Sequence, residues 1–117
     1  MMKQHKIYDM SFEKIYQLYV NKILRKDKSI KDLDVIIFWL TGYDEMTIQP
    51  IFKDKYTMRK FFDEAPKMNP QRNLIKGVIC GLRVEDIEHP LMQNIRYLDK
   101  LVDELARGKN MSSILRG

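Results

Sequence analysis

Residues 77–107 read GVICGLRVEDIEHPLMQNIRYLDKLVDELAR, and the second half of this stretch has the clearest pattern in the chain. Between about Pro90 and Arg107, apolar residues recur alternately four and three positions apart, at Leu91, Ile95, Leu98, Val102 and Leu105. This spacing predicts a helix packed lengthwise on a neighbour through one apolar seam. Proline suits the first turn of a helix and glycine suits its end, so the helix should begin at Pro90 and close at Gly108.

The residues before this helix are less regular. Asn69 followed by Pro70 is typical of a helix start, because a proline at the first helical position costs no hydrogen bond. We therefore expect a fifth helix that runs to about Gly81, with an apolar face of Leu74, Ile75, Val78 and Ile79. Short apolar runs are ambiguous by periodicity, so a brief strand through residues 78–80 is the alternative. Cys80 lies in this apolar run and is expected to be a small buried hydrophobe.

Two further amphipathic helices are predicted in the first third of the chain. Ser11 is a suitable N-cap for the first, which should run to about Lys26. Ser29 can cap the second, and Gly42 should end it. The buried stripe of the first helix should contain Phe12, Ile15, Tyr16, Tyr19 and Ile23. That of the second should contain Leu33, Ile36, Ile37 and Leu40.

Shorter elements are predicted in the middle of the chain and near its C-terminus. Asp44 could cap a helix that Pro50 interrupts, because proline removes a hydrogen-bond donor, so we expect a short or kinked helix there. Thr57 can cap another short helix over residues 58–64. A last turn is expected at residues 111–115.

Length and composition indicate one mainly α-helical domain. The chain has 117 residues, 44% of them hydrophobic and 32% charged, which is enough to bury a core without disulfides or metals. No apolar run approaches the roughly 20 residues of a membrane span. Residues 1–6 do not have the pattern of a secretory signal, so we expect a cytoplasmic protein. The predicted fold is a compact bundle of five or six helices, some short and orthogonally packed, over residues 1–117.

Few residues are arranged for catalysis. The chain has two histidines and one cysteine, and it has no nucleophile-elbow, zinc-protease or phosphate-loop motif. Glu85 and His89, with Asp86 and Glu88 between them, could share a helix face as metal ligands. Acids just before Pro90 are more typical of helix capping and of the helix dipole. We therefore predict no catalytic residue, no metal ligand and no cofactor.

The last predicted helix also carries two carboxylates one turn apart, Asp99 and Asp103. Such a pair could serve acid–base chemistry or bind a cation. Because Arg96, Lys100 and Arg107 lie three or four positions away, we interpret the group as a ladder of ion pairs on an exposed helix face.

One small-molecule pocket can be predicted from aromatic and arginine residues. Trp39 and Tyr43 are one turn apart at the end of the second helix and could line a pocket, although aromatics at this spacing more often pack in the core. Arg83 and Arg96 could converge on them and hold an anion. These four residues are the predicted ligand-binding set.

The net charge of +5 permits attraction to nucleic acid or to acidic surfaces. The densest basic run straddles the end of the first predicted helix and contains Lys22, Arg25, Lys26, Lys28 and Lys31. Cations at that place also suit the helix dipole, so a solvated helix end explains them without any ligand.

Several blocks of the sequence are specific enough to show a resemblance. They are Trp39-Leu40-Thr41-Gly42-Tyr43, Met68-Asn69-Pro70, residues 77–87 and residues 95–106, with shorter blocks at 7–8, 10–12, 16, 18–20, 65–66, 90–92 and 114–116. Over nearly its whole length the chain resembles a bacterial family known only as domain of unknown function 2200, made of small cytosolic proteins. The resemblance implies a small, mainly helical domain and carries no established activity or site residue. Two positions depart from the family pattern: His89, where aspartate is usual, and Pro50, in a segment that is more plainly helical in relatives.

Three functions follow as hypotheses. The leading one is a non-enzymatic binding or protein-interaction module of the bacterial cytosol, because the chain has eight methionines, a seam-like last helix and no reactive cluster. A homodimer through the last helix belongs to this hypothesis, since the same seam could pair between chains. The first alternative is nucleic-acid binding, and the second is a small-ligand-binding protein or enzyme with an anion pocket. We expect no membrane partner.

Overall fold

A computed structural model of the protein describes residues 6–117, in which six α-helices surround one hydrophobic core and a small antiparallel hairpin lies at its edge. The helices are α1 (Phe12–Leu24), α2 (Ile30–Thr41), α3 (Gln49–Lys53), α4 (Met58–Asp63), α5 (Pro90–Ala106) and α6 (Met111–Ile114). The strands are β1 (Val78–Ile79) and β2 (Leu82–Arg83), and short 3₁₀ turns span Lys6–Asp9, Pro70–Leu74 and Val84–Asp86. The predicted mainly helical bundle is confirmed. Residues 1–5, on which the expectation of a missing signal peptide partly rests, lie outside the described range.

Helices α1, α2 and α5 pack together at the centre of the fold. The predicted stripe of α2 is fully buried, and in α1 all the predicted stripe residues are buried except Tyr16, which is half-buried. Ile95, Leu98, Val102 and Leu105 of the α5 seam are also buried within the single chain. A homodimer through α5 would therefore have to use other residues of that helix. No helix in the described part of the chain is long and apolar enough to cross a membrane.

The N-termini of α1 and α4 lie side by side. Ser11 caps α1 by accepting a hydrogen bond from a backbone N–H of the first turn, and Thr57 caps α4 in the same way. The two caps also form an antiparallel β-bridge, in which Phe12 N donates to the Tyr56 carbonyl at 2.7 Å and Met58 N donates to the Met10 carbonyl at 2.8 Å. Both predicted caps are confirmed.

The C-terminus of α2 is closed by a glycine and by a neighbouring segment. Gly42 has φ of +81°, the left-handed conformation that glycine adopts without steric cost. Lys67 N donates to the Thr41 carbonyl at 3.0 Å, and Asn69 N donates to the Leu40 carbonyl at 2.9 Å. A Cβ atom on Gly42 would lie only 2.8 Å from Lys67 N, so this close approach requires a glycine.

A short helix, α3, is present in the segment after α2 as expected, but its start differs from the prediction. Asp44 does not cap a helix; its carboxylate accepts hydrogen bonds from the backbone N–H groups of Met46 and Thr47 in a turn. Pro50 lies in the first turn of α3, where its missing N–H has no helical partner to lose, so it opens the helix rather than interrupting it.

The predicted fifth helix is wrong beyond Leu74. Only a 3₁₀ turn follows Asn69, and the alternative of a short strand is confirmed at β1. Cys80 and Gly81 form the two-residue hairpin turn, with φ of +53° and +76°, the pair of left-handed conformations that matches the twist of two strands. Because Cys80 sits in this turn it is exposed, and the expectation that it is buried is also wrong.

The C-terminal segment is held on α5 by a buried ion pair. Gly108 adopts a φ of +89° after α5, as predicted for the residue that closes the helix, and α6 follows as the expected last turn. Arg116 donates two hydrogen bonds to the Glu104 carboxylate, at 2.6 and 2.7 Å, and Lys109 lies 3.4 Å from the same group. The Glu104 side chain is only 8% exposed.

Candidate functional site

The structure does not bring the four predicted ligand-binding residues into one pocket. Tyr43 is a core residue: its ring stacks on Phe61 with centroids 5.0 Å apart, and its hydroxyl donates to the Phe61 carbonyl at 2.7 Å. Trp39 is half-buried and lines a shallow pocket of about 300 Å³ with Gly42, Lys67, Asn69 and Pro70. The interpretation of Tyr43 as core is therefore the correct one.

The two arginines lie elsewhere, on the hairpin and on α5. Arg83 is largely exposed and reaches Glu85 at 3.8 Å. Arg96 is 19% exposed and donates to Asp99 at 2.6 Å, while the same guanidinium nitrogen lies 3.5 Å from the Cys80 sulfur. Both arginines thus have partners within the chain.

Two of the expected ion pairs are present, Arg96 with Asp99 and Arg107 with Asp103. The two carboxylates face the interface of α1 and α5 rather than the exterior, so the expectation that they are exposed is wrong. Their side chains are 15% and 13% exposed. The Tyr19 hydroxyl donates to Asp99 at 2.5 Å. The pKa of Tyr19 is raised well above its ordinary value, mainly by burial and to a smaller extent by the charge of Asp99. Lys22 and Arg107 pair with Asp103 at 3.2 and 2.8 Å. These carboxylates join the two helices, since both lie on α5 and each accepts a hydrogen bond from a side chain of α1.

Of the acidic residues that precede α5, Glu85 stabilises the hairpin. Glu85 accepts a hydrogen bond from Gly77 N at 2.9 Å, and this bond lowers the pKa of Glu85. Because the bond joins residues on either side of the two strands, Glu85 stabilises the base of the hairpin and does not cap α5. His89 occupies the N-cap position of α5 without a side-chain capping bond, and its ring stacks on Tyr8 with centroids 5.5 Å apart. Across residues 6–117 no three His, Cys, Asp or Glu side chains come together as a metal site.

A basic surface forms where the turn between α1 and α2 meets the end of α5. It contains Lys22, Arg25, Lys26, Lys28, Lys31, Arg107 and Lys109. Lys22, Lys26 and Arg107 line one shallow hollow of about 480 Å³, and Lys28 Nζ lies beside Gly108. The structure therefore brings the predicted basic run together with two cations that follow the C-terminus of α5, Arg107 and Lys109.

Part of this basic surface is neutralised and part is not. Asp103 pairs with Lys22 and Arg107, and Glu104 pairs with Lys109. In the described range, no carboxylate forms an ion pair with Arg25, Lys26, Lys28 or Lys31. These four cations are the part of the basic surface that is not held in ion pairs among the described residues.

A second feature, which we name the aromatic groove, lies between α1, α2 and the start of α3. It has a volume of about 400 Å³, within the usual range for small-molecule sites. Its walls are formed by Tyr16, Asp34, Phe38, Glu45, Gln49 and Phe52, and buried Ile48 also lines it. The Tyr16 hydroxyl donates to Asp34 at 2.7 Å.

Reasoning from the sequence missed this groove. One signal was present, because Asp34 is a charged residue within the otherwise apolar run from Leu33 to Leu40 of α2. Nothing in the sequence shows that the segment leading into α3 would line the same groove as Asp34, so Glu45 and Gln49 could not have been identified as part of it.

Comparison with known proteins gives a family and a fold. The chain is similar to a solved structure described as "Crystal structure of uncharacterized protein SP1917", with 39% sequence identity and a TM-score of 0.89. The match covers 98% of this chain and 94% of the other. No curated protein matches the chain. Residues 6–116 match a family described as "Uncharacterized protein conserved in bacteria (DUF2200)", and the chain belongs to that family.

Proposed function

We propose that this protein is a non-enzymatic, protein-interaction module of the bacterial cytoplasm that binds an acidic partner protein through its basic surface. The single observation that carries the proposal is the group of four cations without ion-pair partners among the described residues: Arg25, Lys26, Lys28 and Lys31. The cytoplasmic part of the proposal is supported by the cysteine usage, since the chain's single cysteine can form no intrachain disulfide.

The helix dipole explains only part of this surface. Arg25 and Lys26 follow the C-terminus of α1, where the negative end of the dipole favours cations. Lys31 lies in the first turn of α2, where the positive end of the dipole disfavours a cation. Positive charge that is unfavourable for the fold itself supports a role in binding.

Apolar residues beside these cations favour a protein partner. Leu24 is 49% exposed and lines a hollow together with Asn21 and Arg25, and Ile30 at the start of α2 is 39% exposed. Protein interfaces commonly join an apolar centre to a charged rim. A surface that contacts only phosphate groups gains nothing from exposed leucine and isoleucine side chains, so these residues favour a protein partner over nucleic acid.

A pair of charge-matched variants tests the proposal. The triple variant Arg25→Gln, Lys26→Gln, Lys28→Gln removes three charges from the basic surface. The control Lys53→Gln, Lys67→Gln, Lys76→Gln removes three charges from exposed lysines elsewhere. Wild type and both variants would be photo-crosslinked in bacterial cells and the captured proteins quantified by mass spectrometry.

An acidic protein captured by wild type and the control, but lost from the basic-surface variant, is the expected result. Purified partner should then bind wild type with an affinity that falls as salt is added, because salt screens exposed charges. Identical capture profiles for all three proteins would refute the proposal.

The same basic surface supports nucleic-acid binding as a second candidate. Four phosphate contacts would give a slope of about −3.6 in a plot of log affinity against log salt for duplex DNA. Titration of fluorescent duplex DNA, single-stranded DNA and RNA at low salt tests this candidate. Absence of binding to all three would eliminate it, whereas a steep slope that the triple variant flattens would place it first.

A further inference from the structure

The aromatic groove is built from residues that are held rigidly. The rings of Tyr16 and Phe52 meet edge to face, with centroids 5.1 Å apart and planes at 62°. Buried Phe12 contacts both rings, at centroid distances of 6.1 and 5.8 Å, and stacks in turn on Phe61 at 3.9 Å. Two aromatic rings set at a large angle form a corner in which a cation can lie against a ring face.

The groove carries negative charge that the chain does not neutralise. Asp34 is half-buried, and one of its oxygens accepts the hydrogen bond from Tyr16. Burial, and then this bond, raises the pKa of Tyr16, so its hydroxyl remains a neutral donor. Glu45 also lines the groove. Within residues 6–117, neither carboxylate forms an ion pair, although the chain has 21 lysines and arginines.

The hydrogen-bond acceptors of the groove match an ammonium group in number. Gln49 donates its amide N–H to the Glu45 backbone carbonyl at 3.0 Å, which leaves its side-chain oxygen as an acceptor. Together with the second oxygen of Asp34 and the Glu45 carboxylate, this makes three acceptor groups among the lining residues. A primary ammonium has three N–H donors and no acceptor.

A metal ion fits this arrangement less well than an organic cation. Aromatic rings supply no metal ligands, and the two carboxylates do not belong to any set of three candidate metal ligands in the described residues. The methylenes of an alkyl chain can instead pack on Tyr16, Phe38 and Phe52, because burial of apolar surface is favourable. An organic cation would therefore interact with both the carboxylates and the apolar walls of the groove.

The geometry points to the aromatic groove as a binding site for a small aliphatic primary amine in its protonated form. The ammonium lies between Asp34, Glu45 and Gln49, and the alkyl chain lies against the aromatic rings. This site is separate from the basic surface, and its test does not depend on the proposed function.

Three probes of equal length and different charge test the assignment. Pentylamine, pentanol and pentanoate would each be titrated into ¹⁵N-labelled full-length protein at neutral pH, with ¹H–¹⁵N spectra recorded at every point. We expect saturable shifts with pentylamine at residues of α1, α2 and α3 around the groove, and affinity at least about tenfold weaker for the other two probes, which is the loss of about 1.4 kcal/mol. Equal shifts with pentanol would overturn the assignment, because the charged groups would then have no part in binding.

Variants locate the site. Asp34→Asn keeps an acceptor for the Tyr16 hydroxyl, and Glu45→Gln changes an exposed side chain, so each should preserve the fold and weaken pentylamine binding about tenfold. The control is Asp54→Asn with Asp63→Asn, which removes two exposed carboxylates that lie outside the groove and should leave the affinity unchanged. If the control weakens binding as much as the groove variants, binding is general charge attraction and the assignment fails.

A last arm distinguishes a free amine from a lysine on another protein. The peptide acetyl-Gly-Lys-Gly-amide presents a primary ammonium on an alkyl chain of similar length, attached to a bulky backbone. We expect it to bind more weakly than pentylamine, because the groove is small. Tighter binding of the peptide would overturn the assignment of a free amine in favour of a lysine side chain.

Discussion

Replacement of Gly42 by alanine should be among the more destabilising single-methyl additions in this fold, and Gly81 provides its matched control. Both glycines have left-handed backbones, with φ of +81° and +76°. An alanine in that conformation costs about 1–2 kcal/mol at either position. Around Gly81 an added Cβ meets nothing within 4 Å, whereas at Gly42 it lies 2.8 Å from Lys67 N and 3.0 Å from Lys67 O.

The difference between the two variants measures the close approach at the end of α2. To relieve the overlap, the segment that contains Lys67 and Asn69 must move, which weakens its two hydrogen bonds to carbonyls of α2. At about 1 kcal/mol for each bond, Gly42→Ala should lose about 3–4 kcal/mol of unfolding free energy and Gly81→Ala about 1–2 kcal/mol.

Urea denaturation followed by circular dichroism measures both losses, provided that the slope of free energy against urea is the same for wild type and variants. Equal losses at the two positions would refute the reasoning, because the backbone conformation alone would then account for Gly42. A larger loss at Gly81 would mean that the hairpin turn contributes more to stability than its open surroundings indicate.

Three further predictions concern buried polar contacts. Arg116→Ala should cost about 2–4 kcal/mol in urea denaturation, since Glu104 would be left buried with a more distant lysine, whereas Arg107→Ala, at a side chain 78% exposed, should cost under about 1 kcal/mol. Tyr43→Phe should cost about 1–2 kcal/mol in the same assay, because a buried carbonyl loses its donor; a neutral result would contradict the hydrogen bond. Burial by itself raises the pKa of Asp103, but hydrogen bonds from a lysine of α1 and from Arg107 lower it overall, below the ordinary 3.8. The stabilisation is therefore present above that value and is lost as the pH falls, so between about pH 6 and about pH 3 wild type should lose more unfolding free energy than Asp103→Asn.

The parts of the fold that the sequence predicted are those with regular patterns and local caps. Ser11, Ser29 and Thr57 each precede a periodic apolar run, and each caps a helix as expected. The seam of α5 was predicted residue by residue because helical periodicity is a local property. These stripes pack on one another because burial of apolar surface is favourable.

The hairpin could not be assigned from its apolar residues alone. Val78 and Ile79 suit a helix face and a strand equally, and the choice depends on Cys80, a non-glycine residue with positive φ. Since left-handed cysteine is uncommon, the turn becomes favourable only with support from elsewhere, such as the bond from Gly77 N to Glu85. That support joins residues that are separate in the sequence.

The aromatic groove and the basic surface also could not be predicted, because each is formed by residues that are distant in the sequence. The residue types were visible, but their grouping depends on which segments become neighbours. Tyr16, Asp34 and Glu45 come from three parts of the chain, and the end of α5 supplies cations to a surface that begins at Lys22. Reasoning about spacing along one helix could not assemble either feature.

The bridge between Ser11 and Thr57 has a consequence for the order of folding. It joins positions separated by about 46 residues, a ring whose closure costs on the order of 3 kcal/mol of chain entropy before any contact repays it. Tyr16 and Phe52 stand on opposite arms of that ring. We therefore expect the three long helices to form early in folding. The aromatic groove, whose walls include Tyr16 and Phe52, should form last, when the bridge between Ser11 and Thr57 closes.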